Sequence, residues 1–225
     1  MAEKTIEVSR GILDRNDRIA AELRDIFASH GVCCVNLLSG PGAGKTTTII
    51  ATIKALAGRY NVAVIEGDIA SDVDALKVKE HGAAAVQINT GGICHLEGDM
   101  IKRALDAIDL DWADLVIIEN VGNLVCTVDF DLGADLTAMI LSVPEGHDKI
   151  YKYPGIFQAS QAVIVSKVDT MGVFDFDNEA FDEALSQLNP TAEVFRISSK
   201  TGQGMDALAE YLAAHIEAAR AKKAE

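Results

Sequence analysis

The segment with the most evident chemistry is Ser39-Gly40-Pro41-Gly42-Ala43-Gly44-Lys45-Thr46-Thr47, which follows an apolar run and opens directly into a helical pattern. Gly40, Gly42, Ala43 and Gly44 allow backbone N–H groups to turn inward around a phosphate, and a helix N-terminus adds its dipole. In the motif G-x-x-x-x-G-K-[ST] the lysine, here Lys45, reaches the β- and γ-phosphates, and the next hydroxyl, here Thr46, holds Mg²⁺. Thr47 continues the same turn. Ser39 stands where the first glycine of the motif belongs, and a serine holds many of the same backbone angles. Carboxylates complete a metal–nucleotide site: Asp68 and Glu119 close two predicted strands on the edge that the phosphate loop faces, with Asp72 and Asp74 following Asp68. Glu119-Asn120-Val121-Gly122 puts Gly122 where a loop movement brings its N–H to a γ-phosphate. The expected catalytic set for a nucleotide triphosphate hydrolase is therefore Lys45, Asp68, Glu119 and Gly122.

The base is addressed by two later segments. Ser166-Lys167-Val168-Asp169 follows an apolar run and resembles the N/T-K-x-D guanine signature, in which the Asp carboxylate accepts from the ring N–H and exocyclic amine and the Lys stem packs on the base. Adenine offers the wrong donor pattern. Ser166 replaces the usual Asn, and an ordinary polar turn after a strand has the same composition. Ile197-Ser198-Ser199-Lys200-Thr201-Gly202 follows the next strand and resembles the second guanine-contacting loop, making Ser199 and Lys200 further contacts. Two such loops favour GTP over ATP.

A second chemistry resides in Asn89-Thr90-Gly91-Gly92-Ile93-Cys94-His95-Leu96-Glu97, which sets a thiol and an imidazole side by side where a helix is predicted to begin. A helix N-terminus favours thiolate, the species that binds metal. Cys126 lies in the loop after Glu119, on the same edge of the sheet. Soft Cys and borderline His ligands select Zn²⁺, Ni²⁺ or Cu over Mg²⁺. Three ligands are one short of a closed tetrahedral site, a shortfall that water, exchangeable ligands on an incoming metal or a second subunit would make good. The alternative is that Cys94 and Cys126 are buried small apolar residues and His95 a surface cap, since no C-x-x-C is present. Cys33 and Cys34 precede the phosphate loop within a strand and are expected in the core.

These residues need a scaffold that brings several strand ends together. Apolar runs at 32–38, 62–66, 84–88, 115–119, 136–143, 162–166 and 193–197 read as strands buried on both faces. They alternate with helical patterns at 46–57, 96–108, 179–188 and 205–221, which gives a doubly wound α/β domain with a mostly parallel seven-stranded sheet of P-loop, Rossmann-like type. Ahead of them, Ile12, Ile19, Leu23, Ile26 and Phe27 form an apolar stripe on a helix ending at His30-Gly31 and packed on the domain. A single domain over 1–225 is expected, with a helical segment at 1–30 and a nucleotide-binding unit at 31–225. The loops at 67–74, 120–133 and 144–155 leave the carboxyl ends of strands, where open α/β sheets bind ligands.

Composition narrows the partners. With 225 residues, 49% apolar and a formal net charge of −14, the chain suits one globular domain and would repel a phosphate backbone. Nucleic acid is not an expected partner. The longest apolar run is four residues against the ~20 a membrane span needs, and nothing at the N-terminus reads as a signal peptide, so a cytoplasmic protein without membrane association is expected.

From about Gly11 to Gly204 the residues resemble the hydrogenase nickel-incorporation GTPase family HypB, of the dimerising P-loop GTPases related to the signal-recognition GTPases. The most specific passages are Cys94-His95-Leu96, the stretch Glu119-Asn120-Val121-Gly122-Asn123-Leu124-Val125-Cys126 continuing to Val128-Asp129-Phe130-Asp131-Leu132-Gly133, and Ser142-Val143-Pro144-Glu145-Gly146. The related urease GTPases carry Cys-Pro-His instead. The resemblance implies a homodimer formed with GTP, delivery of Ni²⁺ to [NiFe]-hydrogenase, and metal (Ni²⁺ or Zn²⁺) held at the dimer interface by Cys94, His95 and Cys126. It also implies that Asp68 and Asp74 belong to the Mg²⁺ and switch region, and that Lys152 reaches the nucleotide of the neighbouring subunit. Implied partners are the nickel chaperone HypA, the hydrogenase large subunit and, in some species, the prolyl isomerase SlyD. The N-terminal Cys-x-x-Cys-Gly-Cys motif and His-rich tract of some members are missing, so their extra metal site is not expected. Rival readings are a urease-type nickel GTPase, a P-loop ATPase or kinase-like enzyme with structural Cys and His, and a metal-binding module with incidental hydrolysis.

Overall fold

The computed structural model describes residues 8–68 and 78–223. Asp72 and Asp74 lie outside the described residues. In chain order the elements are α1 (Val8–His30), β1 (Cys33–Ser39), α2 (Lys45–Leu56), β2 (Val62–Asp68), β3 (Ala84–Asn89), α3 (Gly98–Leu105), β4 (Leu115–Glu119), β5 (Leu136–Ser142), α4 (Lys149–Lys152), α5 (Pro154–Gln158), β6 (Ala162–Ser166), α6 (Asn178–Leu188), β7 (Glu193–Arg196) and α7 (Met205–Lys223). The strands form one sheet in the order β3-β2-β4-β1-β5-β6-β7. Every described pairing is parallel.

Continuous apolar runs suit these strands because helices cover both faces, and β1, β4 and β6 are buried along their whole length. Successive side chains point to opposite faces. Cys33 therefore enters the core under α2 and α7, while Cys34 enters the one under α1 and α3. The two thiols cannot bridge, and burial pushes Cys33 up to about 12 and Cys34 well above the usual thiol range. Both are free core residues, as expected.

Helix α1 docks through Ala20, Leu23 and Phe27, all almost fully buried, whereas Ile12 is half exposed and does not extend the stripe into the core. Asn16 secures the helix instead: its Nδ2 donates to the Asp131 carbonyl at 2.7 Å, and its Oδ1 accepts from Gly98 N at 2.8 Å. Gly133 permits the close approach. Its φ is +72°, and a Cβ there would lie 2.6 Å from the Ala20 carbonyl and 2.7 Å from Leu23 Cβ. Overpacking together with left-handed strain puts the cost of Gly133→Ala at about 2–4 kcal/mol, to be read as a lowered denaturant midpoint. An unchanged midpoint would contradict this docking.

The predicted helix 96–108 is shorter than expected, running from Gly98 to Leu105 with Glu97 extended at its N-cap. Leu96 is withdrawn from it because its side chain seats on Gly67, where a Cβ would lie 2.7 Å from a Leu96 methyl. Cys94 consequently stands four residues ahead of the first helical residue, beyond the reach of that helix's terminal dipole. Among the described residues no helix is long and apolar enough to cross a membrane.

Candidate nucleotide and metal site

The carboxyl ends of β1, β2 and β4 open on a cleft of about 560 Å³ lined by the phosphate loop, Glu66, Asp68, Glu119, Gly122 and Lys167. That volume falls within the range of small-molecule sites. Gly42 and Gly44 adopt φ of +75° and +100°, which turns the loop before α2. Gly40 is required for a different reason. A Cβ there would lie 2.5 Å from Glu145 Oε1, and the other oxygen of that carboxylate accepts from Ser142 N at 2.9 Å and Ser142 Oγ at 2.7 Å. The turn that leads into α4 is thereby packed on the phosphate loop.

Lys45 Nζ donates to Ser39 Oγ at 3.0 Å, so the serine that replaces glycine orients the loop's cation. Thr46 Oγ1 donates to Glu119 Oε1 at 2.9 Å, which joins the end of β4 to the start of α2. Gly122 lies against the loop, with a Cβ there 3.1 Å from Pro41 Cα and 3.4 Å from Lys45 Nζ. Thr46, Asp68 and Glu119 supply hard oxygen donors to one cleft, a donor set that fits Mg²⁺.

A second pocket of about 330 Å³ adjoins the cleft at Gly44, Thr47 and Lys167 and continues over Ala43, Asp169, Ser199 and Lys200. Ser166 Oγ donates to the Ala43 carbonyl at 2.7 Å, and Lys167 Nζ donates to the Gly42 carbonyl at 2.8 Å. Lys167 is, among the described residues, the one non-glycine with positive φ, at +59°. That backbone costs about 1–2 kcal/mol and persists where neighbouring contacts enforce it. Ser198 Oγ donates to Asp169 Oδ1 at 2.7 Å, so the two loops singled out for base recognition are joined directly. Lys152 lies on α4, exposed and paired with Asp148; the hydrogen bond from that pairing raises the lysine and lowers the carboxyl.

Cys94 Sγ lies 3.7 Å from His95 Nδ1, and the His95 ring stacks on Phe130 with centroids 3.8 Å apart. Cys126 opens a 3-10 turn, Cys126–Val128, with its N–H donated to Asn123 Oδ1. The neighbouring Cys94 thiol raises Cys126 above the usual thiol range, and desolvation and Asp129 push the same way. The two cysteines are thus neighbours brought from two loops. Among the described residues, no three His, Cys, Asp or Glu side chains converge as a metal cage.

Residues 34–196 match the family CobW/HypB/UreG, nucleotide-binding domain. The chain is 41% identical over 218 residues to hydrogenase maturation factor HypB of Rhizobium leguminosarum bv. viciae, covering 97% of this chain and 72% of that protein. The chain belongs to the HypB family. The crystal structure of HypB from Helicobacter pylori in complex with nickel superimposes with a TM-score of 0.87 at 38% identity, over 90% of this chain and 95% of that one. Signal recognition particle 54 kDa protein from Aeropyrum pernix K1, in complex with GDP, shares the fold with a TM-score of 0.55 at 16% identity, over 89% of this chain and 53% of that one.

Two polar residues of this HypB-family chain were not anticipated. Glu66 is 2% exposed, lines the phosphate cleft and pairs in register with Glu119. The available signal was period two on β2, which sends Glu66 and Asp68 to the same face. Asn120, 1% exposed, sits between Glu119 and the loop toward Gly122. In the sequence it stands within the passage Glu119-Asn120-Val121-Gly122, with no role of its own assigned to it.

Proposed function

We propose that the protein is a GTP-hydrolysing metallochaperone that takes part in Ni²⁺ delivery to the [NiFe]-hydrogenase large subunit, in the cytoplasm, as a homodimer when GTP is bound. The observation that carries this is the continuity of one loop. Glu119, which accepts the Thr46 hydroxyl in the phosphate cleft, leads in seven residues to Cys126, which neighbours Cys94. The Rhizobium relative's name, a hydrogenase maturation factor, and the nickel in the Helicobacter structure support the cargo and the client.

In this reading the loop amides between Gly40 and Thr47 cradle the phosphates, while Lys45 compensates charge on the β- and γ-oxygens. Thr46, Asp68 and Glu119 would hold Mg²⁺, with Asp74 a further member of that region; the bound ion supplies charge neutralisation on the transferred phosphoryl group. Gly122 presents its N–H toward the γ-phosphate and so registers whether that phosphate is present. Lys167 packs on the base, Asp169 accepts from the guanine N–H groups, and Ser199 and Lys200 close the pocket. At the subunit interface of the dimer, Cys94 and Cys126 as thiolates and the His95 imidazole draw together to hold the nickel cargo, and can also hold Zn²⁺. Lys152 releases Asp148 and reaches the partner subunit's nucleotide. HypA, the hydrogenase large subunit and SlyD are the proposed partners.

Sedimentation velocity tests the dimer: mass doubles with a nonhydrolysable GTP analogue and not with GDP, and equal masses in both states contradict the switch. Base choice has its own test. Asp169→Asn weakens GTP binding and favours xanthine nucleotides, whose ring carbonyl suits an amide donor; an unchanged guanine preference in competition binding would reduce Asp169 to a turn residue.

A further inference from the structure

The segment that carries Cys94 and His95 is gripped from two sides by the strands that end in the phosphate cleft. From β2, the Asp68 carbonyl accepts from Thr90 N at 3.0 Å, and the Leu96 side chain, fully buried, rests on Gly67. From β4, Asn120 Oδ1 accepts from Leu96 N at 3.3 Å and from its own neighbour, Val121 N, at 2.9 Å. Its Nδ2 donates to Asn36 Oδ1 at 3.2 Å, and Asn36 is itself buried on β1. Two backbone donors fix which end of the amide is oxygen. The Asn120 backbone N–H is committed to the Leu37 carbonyl at 3.1 Å, which leaves the side chain and the residues after it as the part that can shift.

We propose that Asn120 is the positioning residue that carries the nucleotide state to Cys94-His95-Leu96. One oxygen is shared by two N–H groups that belong to different sites. Val121 leads to Gly122, which lies against Pro41 and Lys45, so a movement of Gly122 toward a γ-phosphate changes the Val121 bond to Asn120 Oδ1. The same oxygen anchors Leu96, whose backbone directly follows the His95 imidazole. A change at either bond is therefore felt at the other, and the linkage is reciprocal in free energy. The Leu96 seat on Gly67 supplies a fixed pivot, so the response is a rotation of the 94–96 backbone rather than a detachment. The consequence for nickel rests on the function proposed above; the mechanical link between Asn120 and Leu96 does not.

Two readouts on the full chain separate the link from the function. Amide hydrogen exchange at Leu96 is measured with GDP and with a nonhydrolysable GTP analogue, in the absence of nickel. Ni²⁺ dissociation constants are then measured in the same two states. In the wild type the two states differ at Leu96, and Ni²⁺ affinity differs by about 5–150-fold, the usual span for coupled sites. Asn120→Ala exchanges the Leu96 amide at least about tenfold faster in both states, abolishes the difference between them and brings the Ni²⁺ ratio to about one. Asn36→Ala truncates the same buried network but leaves the Leu96 bond, so it keeps both nucleotide differences while serving as the control for general destabilisation.

A nucleotide difference at Leu96 that survives in Asn120→Ala overturns the proposal, as does equal loss in Asn36→Ala and Asn120→Ala. A wild type with no nucleotide difference at Leu96 overturns it too. A Leu96 difference that depends on Asn120, without any difference in Ni²⁺ affinity, upholds the link and overturns the nickel coupling.

Discussion

Lys45→Ala is expected to lower the proposed GTP hydrolysis by about 10²–10⁵-fold, the range seen when a preorganised charge on a transferring phosphoryl group is removed. Three orders of magnitude correspond to about 4 kcal/mol of barrier. The ammonium donates to Ser39 Oγ at 3.0 Å and lies beside Gly122, where an added Cβ would be 3.4 Å from Nζ. Lys45→Arg is not expected to rescue, because the planar guanidinium fork needs room that Pro41 and Gly122 occupy. Thermal melting without nucleotide separates the chemical loss from a folding defect. Single-turnover hydrolysis at the wild-type rate in Lys45→Ala would remove the phosphate loop from the catalytic account.

Cys94→Ala and Cys126→Ala each weaken Ni²⁺ binding by more than about a hundredfold, because losing even a group that merely orients a metal ligand costs 10–100-fold. The thiolate-to-nickel charge-transfer absorbance disappears in both variants. The two cysteines come from separate loops and are neighbours, so one variant cannot be compensated by the other. pH has a defined sign here. The Cys94 contact raises the Cys126 thiol above its ordinary value, ligation needs the thiolate, and binding must therefore displace a proton. Affinity falls as pH drops, by about tenfold per pH unit for each proton displaced. Absorbance titrations from alkaline to mildly acidic pH check this; a flat response would exclude thiolate ligation.

The strands and the phosphate loop were legible because their signals are local. Leu115–Glu119 and Ala162–Ser166 carry strand and boundary alike in consecutive apolar residues, and the remaining strands shift by two residues at most. The start of α3 was not legible. Leu96 has the right period for a helix, but its seat on Gly67 is a contact between residues distant in sequence, and that contact wins over propensity. Asn120 and Glu66 were missed for the same reason. A polar residue at a strand end looks alike whether it faces solvent or bridges two sites, and only the β2–β4 register, Glu66 opposite Glu119, makes the difference. Ser39 and Ser166 depart from the usual nucleotide motifs, and their compensations, to Lys45 and to Ala43, became visible once the loops were juxtaposed. Strand order follows from pairings across the whole chain and has no local signature.

The proposed function depends on one linkage, between the phosphate cleft and the thiol pair. Calorimetric titration of Ni²⁺ into the purified protein, once saturated with GDP and once with a nonhydrolysable GTP analogue, measures it directly. Dissociation constants that differ between the two states by about 5–150-fold, with the difference lost in Cys126→Ala, are the expected result. Identical Ni²⁺ affinity in the two nucleotide states would contradict it.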